Sequence, residues 1–299
     1  MKIDYDVLVI GAGACGMSAL IYLKRSNLKC AVIEKSIPGG LLNKCSVIEN
    51  YPGFSSISGP TLAEVFYSQI SDVPFINEEV VDISLDGDIK VVKTNLNEYR
   101  CSAVILSIGR KPKSIESVKS LVGKGVSFCS LCDGFLYKGC DVAIVGAGNS
   151  AVSEALYLSD ICSKVYILCR GNKLASDYSL ISKVNDRDNI EVIYNCSVNK
   201  FNTCDDILDS VDVCLDDKNI NIKVKACFIF IGYEPSSNFL KNLDILDEKG
   251  YIIVDASGRT SIFGIYAGGD IIRKDAYQVI TACSDGVICA ISCIKDLEK

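Results

Sequence analysis

Two cysteines and an aspartate form the most reactive motif of the chain, Cys129-Ser-Leu-Cys132-Asp133-Gly134. It is the only C-x-x-C in a sequence with 16 cysteines. Two thiols at this spacing can close a small disulfide ring, and a helix N-terminus near the first would stabilise its thiolate. Because thiol–disulfide exchange also moves a proton, we predict Asp133 as the proton carrier. The motif therefore predicts a redox-active disulfide.

Zinc binding and inert thiols are the alternative interpretations of Cys129 and Cys132. A zinc site needs two further ligands at suitable spacing, but the chain has no second C-x-x-C and no histidine. Buried, unreactive thiols are the expectation for the remaining cysteines, including Cys289 and Cys293, which lie four residues apart on one helix face. The lack of histidine also excludes Ser-His-Asp triads and Cys-His pairs. No metal site is predicted.

An internal repeat identifies the elements that must position this motif. Residues 6–23 align with residues 141–158 at a constant offset of 135, with eight of 18 positions identical. Each copy predicts a buried strand, a glycine turn and a helix, which together begin a dinucleotide-binding βαβ unit. In the first copy Gly11 permits the turn, Gly13 lets backbone amides approach a pyrophosphate, and Gly16 lets helix and strand pack closely.

The residue that ends the second strand differs between the two copies. In the first copy this residue is Glu34, whose carboxylate can accept hydrogen bonds from ribose hydroxyls. At the same offset the second copy has Cys169, which cannot bind ribose in that way. Arg170 alone would have to meet a 2′-phosphate. The first copy therefore predicts a working adenosine site and the second an impaired one.

The order of the patterns predicts an α/β fold with one domain inserted into another. Both domains are expected to be Rossmann-like, with a parallel sheet between layers of helices. Strands are predicted at 80–85, 90–94 and 103–106, crossovers at 107–112 and 228–235, and a late helix that contains Cys283, Cys289 and Cys293. The outer domain is predicted at 1–112 and 237–299, and the inserted domain at 113–236.

Length and charge limit the class of protein further. The 299 residues suggest two domains, and the net charge of −6 argues against binding to nucleic acid or to an anionic membrane. Residues 7–23 are uncharged, but their glycines favour a strand, turn and helix over a membrane span. No signal peptide is apparent, so we expect a soluble, cytoplasmic protein with mostly reduced thiols.

The Cys-x-x-Cys-Asp-Gly motif between two dinucleotide units resembles the low-molecular-weight thioredoxin reductase family over essentially the whole chain. Residues 39–41 and 49–53 resemble its flavin-contacting loops, and residues 264–270 resemble the strand whose aspartate binds the ribityl chain. The resemblance implies FAD in the outer domain, thioredoxin as substrate, a homodimer, and two domain orientations that present the disulfide alternately to flavin and substrate. It places Cys132 nearer the flavin and leaves open which thiol attacks thioredoxin.

The predicted cofactor-binding residues belong to the outer domain. They are Gly11, Gly13, Ala14, Gly16, Glu34, Lys35, Gly40, Leu41, Asn50, Gly109, Gly269, Asp270, Gln278 and Val279.

The sequence also departs from this family in the inserted domain. Members that use NADPH carry His-Arg-Arg-x-x-x-Arg, whereas the aligned stretch here is Cys169-Arg-Gly-Asn-Lys-Leu-Ala175. Two arginines and the histidine are missing, and each lost charge-assisted contact costs roughly 1.5–3 kcal/mol. No acid replaces them, so a change to NADH is not indicated. Tyr277 likewise stands where relatives usually have an arginine.

This pattern is similar to the ferredoxin-dependent flavin thioredoxin reductases of clostridia. We therefore expect reduced ferredoxin to supply single electrons to FAD, which then reduces the Cys129–Cys132 disulfide. Two alternatives remain: NADPH as the donor, since Gly146–Ala151 is intact, and a flavin redox sensor or binding protein with little turnover. An acidic ferredoxin would need a basic docking patch. The candidate patch consists of Arg110, Lys111, Lys113, Lys119 and Lys124, opposed by Glu116.

Overall fold

A computed structural model describes residues 3–113, 115–215 and 218–298. The strands are β1 (Tyr5–Ile10), β2 (Cys30–Ile33), β3 (Phe75–Ile76), β4 (Val80–Asp86), β5 (Ile89–Thr94), β6 (Glu98–Leu106), β7 (Arg110–Pro112), β8 (Val126–Ser127), β9 (Asp141–Val145), β10 (Lys164–Leu168), β11 (Ile190–Ile193), β12 (Cys196–Cys204), β13 (Ile207–Leu215), β14 (Lys218–Lys223), β15 (Ala226–Ile229), β16 (Tyr233–Pro235) and β17 (Ile265–Ala267). The α-helices are α1 (Ala14–Leu23), α2 (Gly59–Ser68), α3 (Ser130–Asp133), α4 (Asn149–Ser159), α5 (Tyr178–Asn185) and α6 (Val279–Leu297).

Contacts divide the chain into two compact units. The first unit contains the described residues up to Asn43, Ile48–Lys111, and the described residues from Pro235 onward. The second unit contains Lys44–Val47 and Pro112–Glu234. The predicted inserted domain, 113–236, has similar bounds, but no sequence pattern indicated that Lys44–Val47 belongs with the second unit.

The first unit is built on a seven-stranded sheet in the order β3-β2-β1-β6-β5-β4, with β17 also paired to β6. β1 is central and parallel to β2 and β6. Its residues Val7–Ile10 are buried, as expected of a parallel strand covered on both faces. The predicted strands at 80–85, 90–94 and 103–106 are confirmed as β4, β5 and the end of β6. The late cysteine-containing helix is confirmed as α6.

The second unit repeats this arrangement in a smaller sheet. Its five strands run in the order β11-β10-β9-β15-β8, and the pairs described are parallel. An antiparallel three-stranded sheet, β12-β13-β14, joins this core and was not predicted from the sequence. β7 and β16, which lie in the two predicted crossovers, form a two-stranded sheet. The expected α/β fold with parallel Rossmann-like sheets is confirmed.

The register shows how closely the two copies correspond. Val9 pairs with Val32 in the first unit, and Ile144 pairs with Ile167 in the second. Glu34 and Cys169 therefore both follow directly after the last pairs of their strands. No helix of the described residues is long and apolar enough to cross a membrane.

Candidate active site

The redox loop lies at the start of a single helical turn in the second unit. Cys129 is the N-cap of α3 and is buried, whereas Cys132 on that turn is exposed. The two cysteines form a disulfide, and the Cys132 N–H group donates to Cys129 Sγ at 3.2 Å. The helix N-terminus expected beside the first cysteine is therefore present. A thiolate at Cys129 would be stabilised by this N–H group.

Ser127 connects the predicted proton carrier to the redox loop. Its hydroxyl donates to Asp133 Oδ2 at 2.5 Å, while its Oγ accepts the Cys129 N–H at 3.0 Å. The side chain of Ser127 is buried and Asp133 is half-buried. Sequence reasoning missed Ser127, because a serine at the end of a short strand has no distinctive pattern. The role of Asp133 as proton carrier stays a prediction.

Two large apolar side chains next to the redox loop are exposed to solvent. Phe135 is 68% exposed and Leu136 is 77% exposed. Single exposed apolar side chains are common on protein surfaces, but two adjacent ones form a small contiguous patch, and contiguous apolar patches mark interaction sites. Sequence reasoning missed this pair as well. The available signal was the position of two apolar residues immediately after Asp133-Gly134.

The glycine turn of the first unit is shaped by close backbone contacts. A Cβ added at Gly11, which has φ of +99°, would lie 2.6 Å from the Ser107 carbonyl oxygen. At Gly16 it would lie 1.9 Å from the Gly11 carbonyl oxygen. At Gly13, in contrast, a Cβ would meet no described atom within 4 Å. The turn therefore needs glycine at Gly11 and Gly16 for packing, while Gly13 leaves open space next to Ala14 at the start of α1.

Glu34 lies beside this turn, as the strand order requires. Its Oε2 accepts the Ala12 N–H and its Oε1 accepts the Ser36 N–H, both at 3.0 Å. The carboxylate is half-buried and is held at the end of β2. Lys35, the next residue, is exposed, and its ammonium group pairs with Glu79 at 2.8 Å. Glu34 thus reaches the glycine turn, whereas Lys35 points to a surface partner.

Other predicted residues of the first unit are hydrogen-bonded to each other or adjacent in the chain. Asn50 donates from Nδ2 to Gln278 Oε1 at 3.1 Å, although the two lie far apart in sequence. Gln278 is the N-cap of α6, whose first residue is Val279. Gly269 has a left-handed backbone with φ of +79°, and it begins the turn that presents Asp270.

The loop after β2 completes this set of predicted residues. Gly40 approaches the glycine turn, since a Cβ there would lie 3.4 Å from Gly13 Cα. Leu41 follows in the same short 3₁₀ helix, Gly40–Lys44. Gly109 has φ of +60° in the segment after β6.

Arg110 does not belong to the proposed basic patch. Its guanidinium pairs with Asp270 at 3.0 Å and lies over the Tyr277 ring, 3.7 Å from the ring centroid. The side chain is mostly buried, because both partners cover it. The sequence-based grouping of Arg110 with the neighbouring lysines was therefore wrong. Lys111 is exposed on the first unit, and Lys113, Lys119 and Lys124 are exposed on the second. The side chain of Glu116 lies outside the described residues.

In the second unit the residue that follows the second strand of the repeat is a cysteine instead of a glutamate. Cys169 is buried, and its thiol donates to the carbonyl oxygens of Gly171 and Lys173 at 3.3 and 3.4 Å. The side chain therefore supports its own loop, whereas that of Glu34 reaches the glycine turn of the first unit. Arg170 and Lys173 are the exposed cations of this loop. The thiol cannot replace a ligand-binding histidine or carboxylate in this orientation.

Most other thiols are held unreactive by burial. Burial raises the pKa of Cys15 well above its usual range and the pKa of Cys45 to about 11. Burial likewise raises the pKa of Cys289 and of Cys293 to about 12. Thiols with such values stay protonated near neutral pH and are poor nucleophiles. Among the described residues, no group of three or more Cys, Asp and Glu side chains could hold a metal ion.

Comparison with known proteins identifies the class of this site. Residues 5–286 match the family model described as pyridine nucleotide-disulphide oxidoreductase. The chain is 36% identical over 294 residues to the thioredoxin reductase of Bacillus subtilis, covering 96% of this chain and 93% of that protein. It superposes on Lactococcus lactis thioredoxin reductase in its FR conformation with a TM-score of 0.96 and 32% identity, covering 99% of each chain.

The comparison with a ferredoxin-dependent enzyme is weaker. The ferredoxin-flavin thioredoxin reductase of Clostridium acetobutylicum gives a TM-score of 0.54 at 28% identity, covering 98% of each chain. The thioredoxin reductase resemblance is thus confirmed, whereas the predicted closeness to the ferredoxin-dependent enzymes is not.

Proposed function

Because the chain belongs to the pyridine nucleotide-disulphide oxidoreductase family and is similar to thioredoxin reductases, we propose that it is a flavoprotein that reduces thioredoxin through the Cys129–Cys132 disulfide. The observation that carries this proposal is the disulfide itself, with Cys132 exposed on the second unit. An exposed sulfur within a four-residue loop is accessible to a protein substrate.

The first unit provides residues that fit FAD. Gly13 leaves open space at the N-terminus of α1, where backbone N–H groups and the helix dipole favour a pyrophosphate. Glu34 offers carboxylate oxygens for ribose hydroxyls, and Asp270 offers a carboxylate near the turn at Gly269. When bound, FAD supplies the carrier between the electron donor and the disulfide. Asn50 and Gln278 would lie beside it, as the family resemblance implies.

Thioredoxin reduction then follows as thiol–disulfide exchange. In the dithiol form, one cysteine of the pair attacks the thioredoxin disulfide as a thiolate, which forms a mixed disulfide and releases one thioredoxin thiolate. The second cysteine attacks the mixed disulfide, which releases the other thioredoxin thiolate and restores the Cys129–Cys132 bond. Asp133 is the proposed carrier of the proton that these sulfurs exchange. Phe135 and Leu136 are proposed to contact thioredoxin, because both are exposed next to the loop.

A pyridine nucleotide is the electron donor that the comparisons favour. The description of the matched family names a pyridine nucleotide, and the second unit keeps a glycine turn, Gly146-Ala-Gly148, at the N-terminus of α4. Arg170 and Lys173 are exposed beyond β10 and could meet a 2′-phosphate. Arg170 can bind a phosphate through two N–H groups, whereas Lys173 offers a single charged amine in place of a further arginine.

Reduced ferredoxin is the second candidate donor. One specific observation supports it: Cys169 is turned into its own loop, and Gly171 and Ala175 offer no charge where NADPH-using relatives have arginines. A ferredoxin-fed enzyme would need no nucleotide on the second unit. Lys111, Lys113, Lys119 and Lys124 remain as exposed members of the proposed docking patch.

Flavin absorbance under anaerobic conditions distinguishes the donors. Oxidised FAD-loaded protein is mixed with excess NADPH, and in parallel with NADH and with reduced ferredoxin. Rapid bleaching by NADPH supports the nucleotide donor, whereas bleaching by ferredoxin alone supports the second candidate. Sustained reduction of thioredoxin by catalytic amounts of protein is then expected with the effective donor. Without such turnover the protein would be a redox sensor or binding protein, and the proposed function would be wrong.

A homodimer completes the proposal, as the family resemblance implies. Light scattering of the FAD-loaded protein tests it through the molar mass. A mass twice that of the 32.3 kDa chain supports the dimer, and a mass equal to one chain contradicts it.

A further inference from the structure

Two buried oxygen atoms next to the redox disulfide have no hydrogen-bond partner among the described residues. One is Oγ of Ser130, which lies between the two cysteines and is fully buried. The other is Oε2 of Glu154, which is only 6% exposed on α4. A buried polar group without a partner costs about 1–3 kcal/mol. Each of these two atoms therefore needs a partner that the disulfide form does not provide.

The two atoms belong to neighbouring elements of the second unit. The α3 turn packs on α4, since a Cβ at Gly134 would lie 2.8 Å from Leu158 Cδ2. Ser130 is close enough to Glu154 for its hydroxyl to lower the pKa of that carboxyl, although their oxygens miss hydrogen-bond geometry. A small movement of Ser130 would therefore bring its hydroxyl onto the carboxyl group.

The remaining surroundings of Glu154 hold the carboxyl in place. Its Oε1 accepts from Ser46, at 3.3 Å from the hydroxyl and 3.5 Å from the backbone nitrogen. Cys45 and Tyr157 lie nearby, and the pKa of each is raised by burial and then by the charge of Glu154. Burial is also the main reason that the pKa of Glu154 is raised to about 7. Near neutral pH the carboxyl can thus either donate to Ser130 or accept from it.

Reduction of the disulfide is the change that would let Ser130 move. The Cys129–Cys132 bond closes a ring that contains Ser130, and breaking it removes a covalent restraint from this residue. Glu154, in contrast, is fixed by α4 and by Ser46. The contact between the two side chains misses hydrogen-bond geometry in the disulfide form, and in the dithiol form it can tighten into a full hydrogen bond.

We propose that Glu154 is a positioning residue that hydrogen-bonds Ser130 when Cys129–Cys132 is reduced, and so shifts the redox balance toward the dithiol. This inference rests on the proposed function only in taking Cys129–Cys132 as the working redox pair. A net hydrogen bond contributes about 0.5–1.5 kcal/mol. Its loss should therefore lower the equilibrium constant for reduction by roughly 2- to 12-fold.

The test is a redox titration of the FAD-loaded protein in dithiothreitol buffers. Dithiothreitol gives up two electrons and two protons as it closes its own disulfide, and the Cys129–Cys132 bond breaks to form two S–H groups. Thiol trapping and mass spectrometry of the peptide that contains both cysteines give the equilibrium constant directly. The variants are Glu154→Gln, Glu154→Ala, Ser130→Ala and the double variant Glu154→Ala/Ser130→Ala. Ser159→Ala is the matched control, because Ser159 is also buried on α4 but bonds the Leu156 carbonyl.

Ser130→Ala and Glu154→Ala are each expected to lower the constant several-fold, and the double variant no further than either alone. Glu154→Gln and Ser159→Ala should stay within twofold of the unaltered protein, since a glutamine amide can also bond Ser130. If Glu154→Ala does not fold, Ser130→Ala decides alone, because it removes one oxygen without adding bulk. An unchanged constant in Ser130→Ala would overturn the proposal. Failure of the proposed function would appear separately, as an unaltered protein that titrates normally but does not reduce thioredoxin.

Discussion

The two glycine turns of this chain share a backbone but differ in what they present. In the first unit the Gly39 N–H donates to the Ala12 carbonyl at 2.8 Å, and in the second the Ala175 N–H donates to the Ala147 carbonyl at 2.8 Å. The loop after each second strand therefore returns to its glycine turn in the same way. Packing of strand, turn and helix maintains this shared frame, and it does not by itself decide which ligand is bound.

The differences lie in side chains at equivalent positions. Glu34 extends to the Ala12 N–H group, whereas Cys169 is turned into its own loop. Within the helices, Ala19 of α1 corresponds to Glu154 of α4, at the same offset of 135. The second copy thus has no carboxylate at the strand end and has a buried carboxyl beside the redox loop.

Removal of a redox sulfur should have the largest effect. Cys129→Ser and Cys132→Ser are each expected to abolish thioredoxin reduction, because neither variant can close or transfer a disulfide. FAD content should not change, since the proposed flavin residues lie in the first unit. Turnover with thioredoxin and flavin absorbance measure the two properties separately. Cys204→Ser, an exposed cysteine of the second unit, is the control and should retain full activity. Residual turnover in Cys132→Ser would contradict the assignment.

Restoring the missing charges of the second copy should have the next largest effect. Gly171→Arg with Ala175→Arg places two cations where NADPH-using relatives have them. Both positions are exposed, and a Cβ at Gly171 meets only the Lys173 carbonyl at 3.8 Å. Two added charge-assisted contacts of about 1.5–3 kcal/mol each should raise kcat/KM for NADPH by roughly two to four decades.

Comparison with NADH separates this gain from a general effect on the fold. Because NADH lacks the 2′-phosphate, its kcat/KM should change little in the double arginine variant. Equal gains for both nucleotides would mean that the added arginines do not contact the 2′-phosphate. If only ferredoxin reduces the protein, both before and after the change, the proposal of a nucleotide donor is wrong.

The sequence predicted the parts of this molecule that rest on repeated local patterns. The glycine turn, the Glu34 strand end and the Cys129–Cys132 pair follow from residue spacing that only a few structures satisfy. The run of charges around Arg110 suggested a basic surface patch. Adjacency in sequence could not show that Arg110 pairs with Asp270 and lies over the Tyr277 ring.

The contacts of Ser127 and Glu154 could not be predicted for a related reason. Both depend on tertiary packing: Ser127 reaches Asp133 across a turn, and Glu154 meets Ser46 and Ser130 from other segments. Nothing in the local sequence of α4 separates a buried glutamate from an ordinary solvent-exposed one.

The buried carboxyl of the second copy should make stability depend on pH. In the folded protein the pKa of Glu154 is raised by burial to about 7, against 4.5 for an ordinary glutamate. The folded state therefore binds one more proton between these values. The stability from this group is fully present below about 4.5 and is lost as pH rises toward 7. The gap corresponds to about 3 kcal/mol of unfolding free energy.

Glu154→Gln should remove this dependence. Chemical denaturation at a series of pH values from 4 to 8 measures the slope, and the variant should be flatter than the unaltered protein over this range. Glu191→Gln is a suitable control, because Glu191 is half exposed and pairs with Lys164 at the surface. Parallel curves for Glu154→Gln and the unaltered protein would mean that the carboxyl is ionised in the folded state.

The smallest expected effect tests the two turns directly, with the same substitution in each. A Cβ at Gly13 meets no described atom within 4 Å, and one at Gly148 meets only the Ala175 carbonyl at 4.0 Å, so both alanine variants should fold with an unchanged Tm. Gly13→Ala should weaken FAD binding roughly tenfold, because a methyl group keeps the pyrophosphate from one backbone N–H contact worth about 1.5 kcal/mol. Gly148→Ala should raise the KM for NADPH by a similar factor and leave FAD affinity alone. If Gly148→Ala changes neither constant, the second turn keeps its shape without binding a nucleotide, and ferredoxin becomes the better candidate for the donor.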